Sequence, residues 1–164
     1  MVQEEAVKKQ GETGVSNYKQ KLEDLQNVMI ANNDRDGIYG DGKTLVNNEE
    51  FKITHDFSDQ LYMRKMRMPE GSFVVSAIHH TDHFWFLLSG RIFVTTDGET
   101  VEHVAPCYAR SIKGAKRFIV CAEECLFINV HKNPTNTKDI DEVQDNLYSI
   151  TIEEYNKKEK SWQE

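Results

Sequence analysis

Residues 51–131 consist of short stretches in which apolar and polar residues alternate, with turn residues between one stretch and the next. A period of two is typical of strands that bury one face. Asp97-Gly98, between two such stretches, is a strong signal for a two-residue hairpin. Many short strands with regular turns favour a sandwich or a barrel. We predict strands over 51–57, 60–68, 72–79, 83–88, 91–96, 99–104, 107–112, 116–122 and 124–131.

Two mostly polar segments flank this part of the chain and lower its overall apolar fraction to 38%. A chain of 164 residues suits one domain with a single core. We therefore expect a polar N-terminal extension at 1–50, a barrel at 51–131 and a polar C-terminal extension at 132–164.

Both extensions carry helix signals. Residues 14–33 have apolar side chains at helical spacing, with Leu22 and Leu25 on the apolar face. This helix needs a surface to lie on, either the barrel or a partner, and we expect it to contact another copy of the chain. Thr151 and Glu154 form a capping box, which predicts a solvated C-terminal helix.

The charge and the hydropathy of the chain each exclude one class of partner. The net charge is −7 and the isoelectric point is about 5.4. A nucleic-acid footprint needs clustered Lys and Arg, so no nucleic acid is expected. The chain has no apolar run of 18 residues and no apolar leader, so neither a membrane partner nor secretion is expected.

Three cysteines, Cys107, Cys121 and Cys125, are an odd number, which predicts free thiols in a reducing compartment. The Gly- and Asp-rich loop at 32–43 matches the first half of a calcium-binding loop. Lys43 stands where that loop needs a bidentate Glu, so an Asx-rich turn is the favoured interpretation.

The histidines of the stretch Ala77–Gly98 are the candidate site. By alternation, His79 shares a face with Phe73 and Val75, and His83 shares one with Trp85. If both faces point into the barrel, the two imidazoles meet at its mouth. The aromatic residues around Trp85, which include Phe84, are predicted to belong to the core.

A metal centre would need a third protein ligand. His131, at the end of the last predicted strand, is the best candidate, and His103 is the second. His80 has the opposite parity to His79 and is expected to point outward. His55 is expected to be an isolated strand residue.

Two glycines frame the candidate site at a recognisable spacing. Gly71 is followed by five residues, then by Ala77, His79 and His83, and six residues later by Gly90. This order resembles the first motif of the cupin superfamily, G-x5-H-x-H-x3,4-E-x6-G. The first His position of that motif holds Ala77, and its Glu position holds His83.

The second cupin motif, P-x-G-x2-H, is similar to residues 112–117. Gly114 matches the glycine, and Arg117 stands in the position of the metal-binding His. The resemblance implies an all-β core with the double-stranded β-helix (cupin jelly roll) fold over 51–131. N-terminal and C-terminal helices are then expected before residue 34 and after residue 137. It also implies a homo-oligomer.

The sequences IHHTDH, KGAKR and VHKNPTNTKDIDE, within 78–142, resemble small single-domain cupins encoded in tailed-phage genomes. That resemblance implies a phage origin, phage structural proteins as partners, and a location in the host cytoplasm or in a phage particle. It does not imply a reaction.

Arg117 determines what the site can bind. It is a permanent cation, so it opposes a divalent ion and suits a carboxylate or a phosphate, unless an acid such as Asp82 or Glu124 pairs with it. We expect His79, His83 and Arg117 to bind a small anionic ligand, without a tightly held metal or other cofactor. If a divalent ion (Zn, Ni, Fe or Mn) is bound, His79, His83 and His131 are its expected ligands.

Two functions remain open. The first is a degenerate cupin barrel that serves as a non-enzymatic scaffold or binding module, incorporated in a phage particle. The second is a metal-dependent cupin enzyme, of the dioxygenase, isomerase or lyase type, that acts on a small anionic molecule. A polar cluster that merely closes the barrel would also explain the histidines and Arg117.

Overall fold

The computed structural model describes residues 12–31, 37–39, 44–46 and 50–163. Most of the Gly- and Asp-rich loop, including the proposed calcium-loop position Lys43, lies outside these ranges. The elements in chain order are α1 (Glu12–Ala31), β1 (Gly37–Tyr39), β2 (Thr44–Val46), β3 (Lys52–Ser58), β4 (Leu61–Met68), β5 (Phe73–Val75), β6 (Ile78–His79), β7 (His83–Ser89), β8 (Arg91–Thr96), β9 (Glu99–Val104), β10 (Cys107–Ser111), β11 (Arg117–Cys121), β12 (Cys125–Lys132), α2 (Ile140–Leu147), β13 (Tyr148–Ser149) and α3 (Ile152–Ser161).

Two antiparallel sheets form the barrel. One has the order β1-β2-β5-β11-β8-β9 and the other the order β10-β7-β12-β4-β3. Strands far apart in sequence pair in both sheets: β12 lies between β4 and β7, and β11 lies between β5 and β8. This arrangement is a double-stranded β-helix, with helices at both ends of the chain, and it confirms the predicted fold class.

One predicted strand is interrupted. The stretch 72–79 forms β5 and β6, with Ser76 between them, whereas the other eight predicted strands agree to within one residue at each end. The Ser76 amide donates to the Arg117 carbonyl (2.9 Å), and the Arg117 amide donates to Ser76 Oγ (2.8 Å). The Ser76 side chain thereby replaces one step of the strand ladder.

The interruption shifts the alternation. Val74 and His79 line the barrel interior, while Val75 and Phe73 pack on the outside against α1. The predicted common face of His79 with Phe73 and Val75 is therefore wrong. The alternation of β7 holds without a shift, and His83 and Trp85 both point inward.

Two turns require a particular backbone. Asp97 and Gly98 both have positive φ (51° and 86°), which fits the hairpin that joins β8 to β9, as predicted. Gly90 also has a positive φ of 83°, and a Cβ on it would lie 2.3 Å from the carbonyl oxygen of Glu124. Only glycine fits this close approach.

The hydrophobic core lies between the two sheets. Trp85 belongs to it, as predicted, but Phe84 is 50% exposed because neighbouring residues of β7 point to opposite sides. The core consists of Phe51, Met66, Met68, Val74, Trp85, Leu87, Ile92, Val94, Ala109, Ile119, Cys121, Cys125 and Phe127.

The apolar face of α1 packs on the barrel of its own chain. Leu22 and Met29 are buried against Val75, and Leu25 packs beside them. The expectation that this face contacts another copy is therefore wrong, while the oligomeric state itself stays a prediction.

Lys116 connects both extensions to the barrel. Its fully buried Nζ donates to Gln26 Oε1 of α1 (2.9 Å) and to the carbonyls of Ser76 and Ile150 (both 3.1 Å). Burial lowers the pKa of Lys116 to about 8. Three segments of the chain therefore meet at one buried amine.

The C-terminal helix begins as predicted. The Thr151 hydroxyl accepts from the Glu154 amide at 3.1 Å, and the Glu154 carboxylate accepts from the Ile150 amide at 2.9 Å. None of the helices that the structure describes is both long and apolar enough to cross a membrane.

Candidate functional site

Three histidine rings meet at one end of the barrel interior. β6 positions His79, β7 positions His83 and β12 positions His131, and the ring centroids are 4.4 Å (79 to 83), 4.3 Å (83 to 131) and 5.5 Å (79 to 131) apart. All three side chains are buried. The predicted meeting of His79 and His83 is confirmed, and His131 lies beside them.

These rings are neutral near pH 7. Burial is the largest cause, and it lowers the pKa of His79 and His131 well below the ordinary value of 6.5. Burial, followed by the Arg117 charge, lowers the pKa of His83 to about 4. A neutral imidazole is the form that binds a metal, and it can also donate one N–H to an anion.

The donor set fits a divalent metal ion. The three rings offer ligand atoms within 4.8 Å of one another, and imidazole suits Zn, Ni and Fe. Within the part of the chain that the structure describes, Nδ1 of each ring has no hydrogen-bond partner. Metal-binding histidines usually donate their second N–H to a carboxylate or a carbonyl. These rings thus have the ligand geometry, and the second nitrogen of His131 bonds the Tyr148 hydroxyl (3.0 Å), which is neither a carboxylate nor a carbonyl.

Arg117, on β11, lies in the same cavity, as expected from its motif position. Its Nε donates to Thr96 Oγ1 (3.1 Å) and one terminal nitrogen donates to Ser111 Oγ (2.6 Å). The two acids considered as partners that would permit a metal beside Arg117 bond other groups: Asp82 accepts from the Lys113 amide, and Glu124 forms an ion pair with Arg67.

Sequence reasoning missed Arg64, Asn129 and Tyr148. Arg64 is 4% exposed on β4, and its register partner on β12, Asn129, is buried and lines the cavity. Tyr148 of β13 pairs through its hydroxyl with His131 Nε2 (3.0 Å). Alternation along QLYMRKMRM would have placed Arg64 inward with Met66, but no sequence signal connects Tyr148 with the barrel.

The cavity holds about 40 Å³, roughly the space of three water molecules. Among the described residues, those that line it include no Asp or Glu and are Arg64, Met66, Val74, Ser76, Ala77, His79, His83, Trp85, Val94, Arg117, Ile119, Phe127, Asn129 and Tyr148. We call four of these residues (Arg64, His79, His83 and Arg117), together with His131, whose ring lies beside that of His83, the inner cluster.

His80 has the outward direction that its parity predicts, but it is buried. It points away from the cavity, and α3 covers it, so that it is only 4% exposed. Nδ1 bonds Glu159 Oε1 (2.9 Å), Nε2 bonds Ser149 Oγ (2.8 Å), and Tyr155 stacks on the ring at 4.7 Å. We call His80, Ser149, Tyr155 and Glu159 the outer cluster.

The remaining histidines take other places. His103, the second candidate for a third ligand, lies edge-on to Trp85 with centroids 4.9 Å apart and is outside the group of three. His55 is not isolated, because its Nδ1 lies 2.7 Å from the Tyr62 hydroxyl. The structure brings His79, His83 and Arg117 into one cavity, and ligand binding there stays a prediction.

Comparison with solved structures finds cupin superfamily proteins. A cupin superfamily protein from Desulfitobacterium hafniense shares 13% identity (TM-score 0.47; 52% of this chain, 79% of that chain). An acetylacetone dioxygenase from Acinetobacter johnsonii shares 16% (TM-score 0.48; 63% and 76%). The Cnp3 cupin domain of Schizosaccharomyces pombe shares 19% (TM-score 0.46; 54% and 68%). The fold assignment rests on the strand order described above.

No protein-family model matches the chain, and no curated protein matches it.

Proposed function

We propose that the barrel is a non-enzymatic binding module that holds a small anion between Arg64 and Arg117. One observation carries the proposal: two buried guanidinium groups line the cavity, and none of the described residues that line it is a carboxylate. A guanidinium group binds a carboxylate or a phosphate through two parallel hydrogen bonds, so this cavity favours an anion.

The neutral groups of the cavity support the same ligand. His79 and His83 can each donate one N–H, and Tyr148 and Asn129 add further polar atoms. An oxyanion bound by two arginines can accept several of these hydrogen bonds at once. His79 and His83 therefore act as uncharged hydrogen-bond donors around the anion.

The resemblance to phage-encoded cupins adds an origin to this proposal. We propose that the module is a component of a phage particle, in contact with phage structural proteins, after synthesis in the host cytoplasm. Mass spectrometry of purified particles tests this: the chain at a defined copy number supports it, and absence from the particle contradicts it.

The alternative function is a metal-dependent enzyme that acts on a small anionic molecule. The ligand atoms of His79, His83 and His131, all within 4.8 Å, favour it. A metal ion held there would supply Lewis-acid or redox chemistry, and Arg117 would hold the anionic group of the substrate. Two buried cations in the same cavity oppose a dication, and for that reason the anion module is preferred.

The experiment is a calorimetric titration of the purified protein with acetate, with phosphate and, separately, with zinc, nickel and iron(II). We expect acetate to bind and the metals to bind no tighter than micromolar. Arg117→Gln should weaken acetate binding by about 10- to 150-fold, the range for a hydrogen bond to a charged group. Arg117→Lys, which keeps the charge, should restore part of the affinity.

Arg110→Gln is the matched control, because Arg110 is exposed on β10 and lies outside the cavity. It should leave the acetate affinity unchanged. If neither acetate nor phosphate binds, the anion module is refuted. Sub-micromolar metal binding that is lost in His79→Ala and His83→Ala would establish the alternative.

A further inference from the structure

The cavity has a polar end and an apolar end, and the change occurs along the same strands. On β4 the inward residues change from Arg64 to Met66, and on β12 they change from Asn129 to Phe127. Arg64 pairs with Asn129 and Met66 pairs with Phe127 in the ladder. One step of alternation, two residues, thus separates the charged level of this sheet from the apolar one.

The facing sheet changes in the same way. Arg117 pairs with Thr96, and the next inward pair is Ile119 with Val94. Val74 of β5 is the register partner of Ile119 and lines the same end. Both sheets therefore place polar groups at one end of the cavity and aliphatic or aromatic groups at the other.

An inorganic oxyanion would use only one of these ends. Sulfate or phosphate between the arginines would leave Met66, Val94 and Phe127 facing water or empty space, without gain from their apolar surface. A dicarboxylate would press its second charge against the apolar end, where nothing compensates it. A single carboxylate with a short apolar tail satisfies both ends.

We propose that the ligand class is a short-chain monocarboxylate, with its carboxylate between Arg64 and Arg117 and its tail against Val94, Ile119 and Phe127. This rests on the proposed anion-binding function and names its ligand. The cavity volume of about 40 Å³ limits the tail to a few carbon atoms.

Tryptophan fluorescence provides the measurement. The chain has two tryptophans, of which Trp85 lines the cavity and Trp162 is 54% exposed. In a Trp162→Phe background, Trp85 alone reports binding. Acetate, propionate, butyrate and valerate are titrated at constant ionic strength, together with phosphate, sulfate and succinate.

We expect the affinity to rise about fourfold for each added methylene, equivalent to about 0.8 kcal/mol, until the cavity is full, and to fall for the next longer acid. Phosphate, sulfate and succinate should bind more weakly than the best monocarboxylate. Val94→Thr keeps the shape of the side chain but replaces one methyl group by a hydroxyl at the apolar end. It should reduce the gain per methylene.

Val104→Thr is the matched control, since Val104 is 59% exposed on β9. It should change neither the gain per methylene nor the acetate affinity. Equal affinities for acetate and valerate, or tighter binding of phosphate or succinate, overturn the ligand class while the anion module stands. Absence of binding by every anion refutes the anion module itself.

Discussion

The inner and outer clusters lie back to back on the same short ribbon. β6 and β13 pair with His79 opposite Tyr148, and both of these side chains line the cavity. The next residues along the chain, His80 and Ser149, lie on the other side and bond each other beneath α3. Alternation of one residue therefore assigns neighbouring histidines to two different surroundings.

The two clusters differ in how their polar groups are satisfied. In the outer cluster both ring nitrogens of His80 are bonded, one of them to the carboxylate of Glu159. In the inner cluster, Nδ1 of each ring has no partner among the described residues, and no carboxylate lines the cavity. A closed hydrogen-bond network holds a fold together, whereas the inner cluster is where we propose that an anion binds.

The order of groups in the outer cluster is that of a nucleophilic triad, with Glu159, His80 and Ser149 in hydrogen-bond contact. Its surroundings argue against that chemistry. Ser149 is fully buried, and Glu159 belongs to the helix that covers it, so opening the site would remove the acid. The cluster fastens α3 to the barrel.

The largest expected effect is on stability in acid, and it comes from the inner cluster. The pKa of His79, His83 and His131 is depressed in the fold and near 6.5 in the unfolded chain. The unfolded chain therefore takes up protons below pH 6.5 that the folded chain refuses. Stability is complete above that pH and is lost as the pH falls below it. His83, with a pKa of about 4, contributes about 2 kcal/mol of this loss at pH 5, and His79 and His131 add to it.

Urea unfolding at pH 5, 6, 7 and 8 measures this loss, without added anion or metal. His83→Gln removes one titrating ring, so the loss between pH 7 and pH 5 should fall by about 2 kcal/mol. His80→Gln should change the loss less, because Glu159 raises the pKa of His80 against the effect of burial. A stability that does not change between pH 7 and pH 5 would show that the inner rings are not held neutral.

The second-largest expected effect is on zinc affinity, and it comes from a substitution in the inner cluster. Arg117→His removes a buried cation and adds an imidazole at the motif position of a ligand. Zinc affinity should rise at least a hundredfold, about 2.7 kcal/mol, as measured by calorimetric titration of both proteins.

The control for this gain is a second change, His79→Ala, in the Arg117→His background. It should abolish the added affinity. If Arg117→His binds zinc no better than the unmodified protein, the geometry of the three rings, and not the charge of Arg117, decides against the metal.

The third effect belongs to the outer cluster. Glu159→Gln removes the charged partner of His80 Nδ1 and should lower the free energy of unfolding by about 2 kcal/mol. It should leave acetate affinity unchanged, because Glu159 lies outside the cavity. Glu153→Gln, exposed on the same helix, is the control and should cost less than 0.5 kcal/mol. Loss of acetate binding in Glu159→Gln would show that the clusters act together.

The sequence predicts the barrel well because its signals are local. Strand alternation, the Asp97-Gly98 turn and the glycine at position 90 each depend on a few neighbouring residues. The same local signals identify His79, His83 and His131 as neighbours. Residues at corresponding ends of adjacent barrel strands lie close together, however far apart they are in the sequence.

The sequence fails where distant segments meet. Nothing near His80 indicates that α3 will cover it, and nothing near Tyr148 indicates that β13 will pair with β6. The interruption at Ser76 changes the parity of the strand through a bond to Arg117, which is 41 residues away. Such contacts are long-range, and composition and periodicity do not encode them.

The smallest expected effect is the coupling between the two clusters, and it tests their separation most sharply. Tyr148→Phe removes the hydroxyl that bonds His131 and should cost about 1 kcal/mol. If the inner and outer networks are independent, the cost of Tyr148→Phe and Glu159→Gln together equals the sum of the single costs within about 0.5 kcal/mol. Lys158 offers one route for coupling, since its Nζ donates from α3 to the Tyr148 carbonyl at 3.2 Å. This bond involves the backbone, which both substitutions keep. Urea unfolding of the unmodified protein, the two single variants and the double variant should therefore show additive costs. A coupling above 1 kcal/mol would mean that the ribbon of β6 and β13 transmits strain between its two faces.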